Sequence, residues 1–373
     1  MKKRICIVST TGSVVNAFML RHIEYLKNEY DVTVVLGDDI PLKVDVKVKK
    51  IKIIRKIDLM QDIKSLYKLL KYFKKKKFDL VLSIMPKSGL LSMISAMLVG
   101  INIRLHFFTG QVWATKKGFF KTLLKYMDKV IVKCSTNILV DSNSQKEFLE
   151  SEKVLDSRGS ILNKGSISGV NTNYFKPNIN LKNELRKKYN IVDSEIVFMY
   201  LGRINIDKGV IELADTFLSL FNKFSKVKLV LMGPLEDLTI KEKIKELLIN
   251  ENVIYDFSYI NNPQEILNLA DILVLPSHRE GFGTIVIEAA ALKVPTIGSN
   301  IYGLSDSIVD KQTGVLHKVN DIEDMVKQYS NIILNKNLIN QMGENAYKRV
   351  QKDFLDETLS LALLNYIREK IDK

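Results

Sequence analysis

The sequence predicts an α/β protein made of two doubly wound, Rossmann-like domains. Three observations predict it. The chain has 373 residues, enough for two domains of about 150–200 residues each. Runs such as IVFMYLG (196–202) and DILVLPS (271–277) are apolar at consecutive positions, as strands buried on both faces of a parallel sheet are. Amphipathic helical stretches separate these runs, so strand and helix alternate along the chain.

Taken in order, the first series of strands is 5–9 (ICIVS), 32–36 (VTVVL), 46–49 (VKVK), 80–84 (LVLSI), 103–108 (IRLHFF) and 138–140 (ILV). The second is 196–201, 229–232, 253–255, 272–275 and 296–298. Helical patterns lie between them at 63–74, 209–221, 240–248 and 288–292, the last within a helix that starts near Thr284. The stretch 163–180 is rich in Gly, Asn and Ser, includes Pro177, and reads as a linker. An N-terminal domain is therefore expected over 1–170 and a C-terminal one over 171–353. An amphipathic helix at about 359–370 ends the chain. There is no low-complexity tract and no short-period repeat.

Composition narrows the class. Hydrophobic residues are 46% and charged residues 26%, which excludes a disordered chain. Two cysteines, Cys6 and Cys134, sit in apolar runs. They exclude a disulfide scaffold or a cysteine-rich zinc site and read as core thiols in a reducing compartment. The start, MKKRICIVST, leads directly into a strand, and no signal peptide is expected there. The longest apolar stretch, 89–100, has 12 residues, against about 20 for a membrane span. The net charge of +14 is uneven: +16 over 1–170 and −2 over 171–373. That asymmetry fits an anionic partner such as a bilayer, a nucleic acid or a phosphorylated substrate. Lysine used as generic surface filler is the plain alternative.

In open α/β sheets ligands bind beyond the carboxyl ends of the strands. There the first half offers TTGS (10–13), MPK (85–87) and TGQ (109–111), and the second offers GR (202–203), GP (233–234) and the run 277–283. The densest signal is PSHREGFGT (276–284) followed by IVIEAAA (285–291). A buried strand ends, a glycine-containing turn follows, and a helix with small residues begins. Backbone N–H groups at a helix start hold phosphate or hydroxyl oxygens. Glu280 lies in the turn and Glu288 in the helix, and each carboxylate can accept two hydroxyl donors of a sugar or a ribose. The alternative is that Glu280 caps the helix and Glu288 faces solvent. The second signal is LGRINIDKGV (201–210). Arg203 and Lys208 stand five apart at a strand–helix junction. A planar fork and a compact charge suit a diphosphate; two charges on a surface loop are the alternative.

The phrases LGRINIDKG and HREGFGTIVIEAAA resemble the nucleotide-sugar half of the GT4-type retaining glycosyltransferases. GVNTNYF (169–175) is similar to that family's GVDxxxF, and TGVL (313–316) to its TG-[FL]-L. The N-terminal half matches less strongly. Its RLHFFTGQVWATKKG (104–118) resembles bacterial transferases that assemble capsule or O-antigen repeat units on polyprenyl diphosphate. The resemblance implies the GT-B fold, two Rossmann-like domains facing across a cleft, with the chain from about 354 to 373 crossing back to the first domain. It implies that Arg203 and Lys208 hold the donor diphosphate, Glu288 the ribose hydroxyls and Glu280 a donor-sugar hydroxyl. Gly281, Phe282, Gly283 and Thr284 would lie at the sugar and phosphates, and Gly12 near the donor phosphate and acceptor.

The chain departs from the family in places. The first loop has Thr11-Gly12-Ser13 where two glycines are usual. Thr109-Gly110 stands where many relatives have His-Gly. His106, three residues earlier, is either a substitute contact to the donor sugar or acceptor, or a core residue. The base of the donor is not legible in Asp256–Tyr259, although a UDP-linked sugar is expected. There is no Asp-x-Asp and no Cys/His cluster with ligand spacing, so no metal and no further cofactor are expected. Arg203 and Lys208 would supply the positive charge.

The basic half has texture. Lys68, Lys71, Lys74 to Lys77 and Lys87 fall near Tyr67, Tyr72 and Phe73, and Lys117, Lys121, Lys125 and Lys129 recur every four residues beside Trp113, Phe119 and Phe120. A basic stripe beside exposed aromatics is how a protein lies on an anionic bilayer. The alternative is that the aromatics pack inward under solvated lysines. The expected protein is thus a cytoplasmic transferase, peripheral on the inner face of the cell membrane. It would move a hexose or N-acetylhexosamine from a nucleoside diphosphate to a polyprenyl-diphosphate-linked saccharide. Rivals are a nucleotide-sugar 2-epimerase on the same fold, a non-catalytic sugar-nucleotide-binding scaffold, and a basic nucleic-acid-binding protein. No nucleic-acid-binding motif supports the last.

Overall fold

The computed structural model describes residues 2–372. It divides into two compact units: residues up to Gly169 together with those from Asp356 onward, and Val170–Leu355. The expected boundaries were 170/171 and 353/354.

The first unit is a seven-stranded sheet in the order β3-β2-β1-β4-β5-β6-β7, with every pairing parallel. Its strands are β1 (Arg4–Ser9), β2 (Asp31–Leu36), β3 (Lys47–Lys50), β4 (Leu80–Ile84), β5 (Ile103–Phe108), β6 (Asn137–Val140) and β7 (Gly159–Ile161). Its helices are α1 (Gly12–Phe18), α2 (Leu20–Glu29), α3 (Leu59–Lys76), α4 (Pro86–Leu98), α5 (Gly118–Cys134) and α6 (Asn143–Ser151). Successive strand residues point to opposite faces. Cys6 and Val8 face Leu69 and Phe73 of α3, Leu91 and Met93 of α4, and Ile131 of α5. Ile5 and Ile7 face Val15 of α1 and Ile23 and Leu26 of α2.

The second unit is a six-stranded parallel sheet in the order β10-β9-β8-β11-β12-β13. Its strands are β8 (Ile196–Leu201), β9 (Val227–Met232), β10 (Val253–Asp256), β11 (Ile272–Leu275), β12 (Thr296–Ser299) and β13 (Gly314–His317). Its helices are α7 (Ile179–Lys188), α8 (Val210–Phe221), α9 (Lys241–Leu248), α10 (Pro263–Leu267), α11 (Thr284–Ala291), α12 (Leu304–Ser307), α13 (Ile322–Leu334) and α14 (Lys336–Asp353). Phe198 and Tyr200 of β8 pack under α8 and α13 on one face. Val197 and Met199 pack with Ile287 and Ala289 of α11 and Val350 of α14 on the other. The last helix, α15 (Asp356–Ile371), returns to the first unit and packs on α2.

Each sheet reverses its winding beside its first strand, between β1 and β4 and between β8 and β11. These are the switch points at which doubly wound sheets hold ligands. The structure adds β7 and β13 to the expected strands. It shifts the third by one residue, because β3 is an edge strand with all four residues exposed. It also starts α3 at Leu59 rather than 63, where the Asp58 carboxylate accepts the Gln61 N–H at 3.0 Å. Among the described residues no helix is long and apolar enough to cross a membrane.

Candidate active site

The second unit brings four of the predicted residues to its switch point. After β8 the chain makes a short turn through Gly202, Arg203 and Ile204, then one turn of tighter helix over Ile206–Lys208. Tyr200 is buried beneath it and its hydroxyl donates to the Arg203 carbonyl at 2.6 Å. The Arg203 side chain is about two-fifths exposed and donates to Glu236 at 2.9 Å; Asn205 donates to the same oxygen at 3.1 Å. Gly209 has φ +67°, and a Cβ there would lie 2.0 Å from the Pro276 carbonyl oxygen. A glycine is therefore required where the loop after β8 presses on the loop after β11.

Those two loops are stapled by charge. Lys208 pairs with Glu280, and both side chains are largely buried. The buried Ser277 hydroxyl donates to the same Glu280 oxygen at 2.8 Å. The next residue on each loop pairs as well: Arg279 Nη2 and Nε lie 3.1 and 3.2 Å from Asp207 Oδ2. The His278 N–H donates to the Asp207 carbonyl at 2.9 Å, and its ring faces Glu212 at 3.2 Å. Three consecutive residues, 278–280, thus hold Asp207, Lys208 and Glu212. Sequence reasoning named Lys208 and Glu280 but not the Asp207–Arg279 pair that aligns them.

Helix α11 begins at Thr284 with Gly283 at its N-cap, and no side chain caps it. Its first-turn N–H groups carry the positive end of the helix dipole. Phe282 turns its ring inward, 2% exposed and 5.2 Å from Phe354, so only its backbone is at hand for a ligand. Glu288 sits in the second turn, half-buried, and its carboxylate has no hydrogen-bond or ion-pair partner among the described residues. Burial pushes that carboxyl up to about 7. Tyr174, from the GVNTNYF segment, lies close enough to feel it. Its phenol is raised by burial and by the Glu265 carboxylate, and more weakly by Glu288.

The first unit departs further from expectation. Gly12 is buried. Its N–H donates to Asp38 Oδ1 at 2.9 Å, and a Cβ would lie 2.4 Å from the Ile40 carbonyl oxygen. The close approach at Gly12 is therefore one of backbone to backbone. His106 is a core residue: 1% exposed, 2.7 Å from the Ser83 hydroxyl, edge-on to Phe108, with burial holding its ring down at about 3. Thr109 and Gly110 are at the carboxyl edge, half-exposed. The Thr109 carbonyl is held from below by the buried Gln111 and Gln145 amides at 2.9 and 2.7 Å. Gln111 stood in the TGQ run singled out in the sequence but Gln145 did not, although Ser142 and Gln145 are spaced as a helix cap and make that bond at 3.1 Å.

Trp113 corrects the membrane-facing set. It is 1% exposed, stacks on Phe148 at 5.3 Å and donates to the buried Asp128 at 2.7 Å. Lys125 belongs with it, since it pairs with Glu152 and lies 5.7 Å over the Trp113 ring. Lys117 precedes α5 and is exposed, and Lys121 is half-buried on the helix. Phe119 and Phe120 remain at the surface. Among the described residues no group of three His, Cys, Asp or Glu is placed to hold a metal ion.

Residues 182–349 match the family of glycosyl transferases group 1. A capsular polysaccharide biosynthesis glycosyltransferase, CapM, of Staphylococcus aureus is 32% identical over 348 residues, covering 91% of this chain and 90% of that protein. The UDP-Gal:alpha-D-GlcNAc-diphosphoundecaprenol alpha-1,3-galactosyltransferase of Escherichia coli is 28% identical over 372 residues, covering 91% and 92%. Among solved structures, sucrose-phosphate synthase from Thermosynechococcus elongatus superposes with a TM-score of 0.82 at 17% identity, covering 100% of each chain. At that identity it speaks for the fold, which is the GT-B fold.

Proposed function

Because this chain belongs to the group 1 glycosyl transferases, we propose that it is a retaining transferase of bacterial surface-polysaccharide synthesis. It moves a hexose or N-acetylhexosamine from a nucleoside-diphosphate sugar, UDP-linked, to a polyprenyl-diphosphate-linked saccharide. One observation carries this reading. Two cations, Arg203 and Lys208, follow β8 and two carboxylates, Glu280 and Glu288, follow β11, on either side of the switch point; Lys208 pairs with Glu280, and Glu288 has no partner among the described residues. The names of the Staphylococcus and Escherichia relatives support the capsular setting and the lipid-linked acceptor.

The chemistry follows from those groups. A donor diphosphate takes Arg203 from Glu236 and shares Lys208 with Glu280, so charge that builds on the departing nucleotide meets two fixed cations. Glu288 accepts the ribose hydroxyls and Glu280 a hydroxyl of the sugar. The N–H groups of Gly281 to Thr284, at the start of α11, lie toward the sugar and phosphates. The acceptor hydroxyl attacks from the face that the diphosphate leaves, and its proton goes to the leaving oxygen. No enzyme nucleophile and no metal ion are needed in that scheme. A lipid-linked acceptor implies peripheral contact with the inner face of the cell membrane.

The test incubates the pure protein with a panel of nucleotide sugars, with and without a lipid-diphosphate sugar, in excess EDTA. Acceptor-dependent sugar transfer is expected. Conversion of the nucleotide sugar without acceptor would favour a 2-epimerase instead, and loss of transfer on chelation, restored by Mn²⁺, would overturn the metal-free scheme.

A further inference from the structure

Arg203 and Lys208 each have a carboxylate partner, and the two pairs are built differently. Lys208 and Glu280 are largely buried, and the Ser277 hydroxyl holds the same Glu280 oxygen. The Arg203 pair is open: its side chain and that of Glu236 are 39 and 41% exposed. It is also made end-on, through one nitrogen and one oxygen, Nη1 to Oε2 at 2.9 Å. Arg368 shows the other geometry in the same molecule, with Nε and Nη2 on the two oxygens of Glu29. A fork that meets both carboxylate oxygens is the stronger arrangement. The Arg203 contact is therefore readily exchanged for another anion.

The backbone keeps Glu236 within reach of Arg203. Glu236 stands in the loop after β9, the neighbour of β8 in the sheet. The Ile204 N–H donates to the Pro234 carbonyl at 2.8 Å, and the Glu236 N–H to the Ile204 carbonyl at 3.1 Å. The two loops are thus zipped like one further step of a parallel ladder. At its base Gly233 has φ +123°, and a Cβ there would lie 2.2 Å from the Gly202 carbonyl oxygen. A glycine is what lets the loops come this close. Asn205, on the same loop as Arg203, donates to Glu236 Oε2 at 3.1 Å. That bond does not depend on the guanidinium, so the carboxylate keeps its place when Arg203 turns away.

We propose that Glu236 is a positioning residue that competes with the nucleotide diphosphate for Arg203 and so promotes release of the nucleoside-diphosphate product. This rests on the diphosphate site proposed above and adds to it the residue that sets its affinity. A ligand that must displace an internal partner binds more weakly, by the fraction of protein in which the arginine is free. A pair this exposed biases such an equilibrium up to about fivefold. The product is affected more than the donor. Loss of the sugar leaves a terminal phosphate whose second ionisation has a pKa of about 6, so at neutral pH and above the product carries one more negative charge. A carboxylate fixed beside it repels the product the more strongly.

UDP is titrated calorimetrically, with ADP and GDP alongside it, into the wild type, Glu236→Gln and Glu236→Asp, and donor KM and product inhibition are measured in the transfer reaction. Glutamine keeps an acceptor for Arg203 and Asn205 and removes only the charge. It should tighten the product about fivefold and the donor about twofold, lowering the ratio of product inhibition constant to donor KM. Aspartate keeps the charge and should stay near the wild type. A merely structural role for Glu236 would change urea stability and leave that ratio alone. In an Arg203→Ala background the glutamine substitution should leave product affinity unchanged, because no cation remains to compete for. Unchanged or weaker product binding by Glu236→Gln overturns the inference, and so does an equal gain in the Arg203→Ala background. Failure of the wild type to bind any of the three nucleotides defeats the diphosphate reading itself. Binding by the wild type without the gain in Glu236→Gln defeats the role of Glu236 alone.

Discussion

Glu288 is a half-buried acid with no hydrogen-bond or ion-pair partner among the described residues. Its carboxyl stands near 7, where an ordinary glutamate titrates at about 4.3. Below about 7 the free protein therefore holds it protonated, and it offers a ribose one acceptor fewer. Nucleoside-diphosphate affinity should rise as pH goes from 6 to 8, and Glu288→Gln should be weaker and flat across that range. The sign for stability is opposite. Between about 4.3 and 7 the native carboxyl keeps a proton that the unfolded chain releases, so this group's contribution is lost as pH rises through 7. Calorimetric titration of UDP at several pH values checks the first statement; a flat wild-type profile would remove Glu288 from the ribose site. The cations make a separate expectation. Arg203→Ala and Lys208→Ala should each lower turnover by about two to three orders of magnitude with the fold intact. Less than a threefold loss in both would show that neither meets the diphosphate.

Elements decide which of these groups can meet. The loops after β8 and β11 touch only because Gly209 lets the Pro276 carbonyl approach. Gly209→Ala should destabilise the second unit by about 2–4 kcal/mol, through a left-handed φ and a backbone clash together. It should also weaken nucleotide binding by parting Lys208 from Glu280. Gly100 is a control with the same strain and no clash: its φ is +76° and nothing lies within 4 Å of an added Cβ. There the cost should be about 1 kcal/mol. Urea denaturation of both variants checks the difference, and equal costs would show that the Pro276 contact is soft.

This element was legible in the sequence because it is local. Two buried strands, each followed by a short loop of glycine and charge, put Arg203, Lys208 and Glu280 in view. What was not legible depends on partners far along the chain. Trp113 beside lysines reads as interfacial until Asp128 and Phe148 are seen beneath it. His106 is settled by Ser83, and the Thr109 turn by Gln145. The start of α3 was missed for a different reason. Leu59 and Met60 do not follow the core-facing period, because their side chains face outward.

At the scale of the whole molecule the chain leaves the first unit at Gly169 and re-enters it at Asp356. Helix α15 completes a core that the first 169 residues leave open. Leu359, Leu363, Leu364 and Ile367 are buried against Ile23 and Leu26 of α2 and the face of the sheet. At about 2 kcal/mol for each large apolar side chain they contribute about 8 kcal/mol. That rivals the total stability of a domain, about 5–15 kcal/mol. The ion pairs Arg368–Glu29 and Arg21–Glu357 join the same helices but are partly exposed, and such pairs contribute little. The second unit does not need α15. Its own core closes with Phe354, whose carbonyl accepts the Val170 N–H at 2.8 Å. Ending the chain after Leu355 should therefore unfold the first unit and spare the second. The single tryptophan reports on this without labelling, since Trp113 is buried in the first unit. Its emission should shift to that of a solvated indole in the truncated protein, while UDP binding to the second unit persists. Unchanged emission would mean that the sheet and α2 hold their core without the returning helix, and that the fold is less interleaved than its chain path implies.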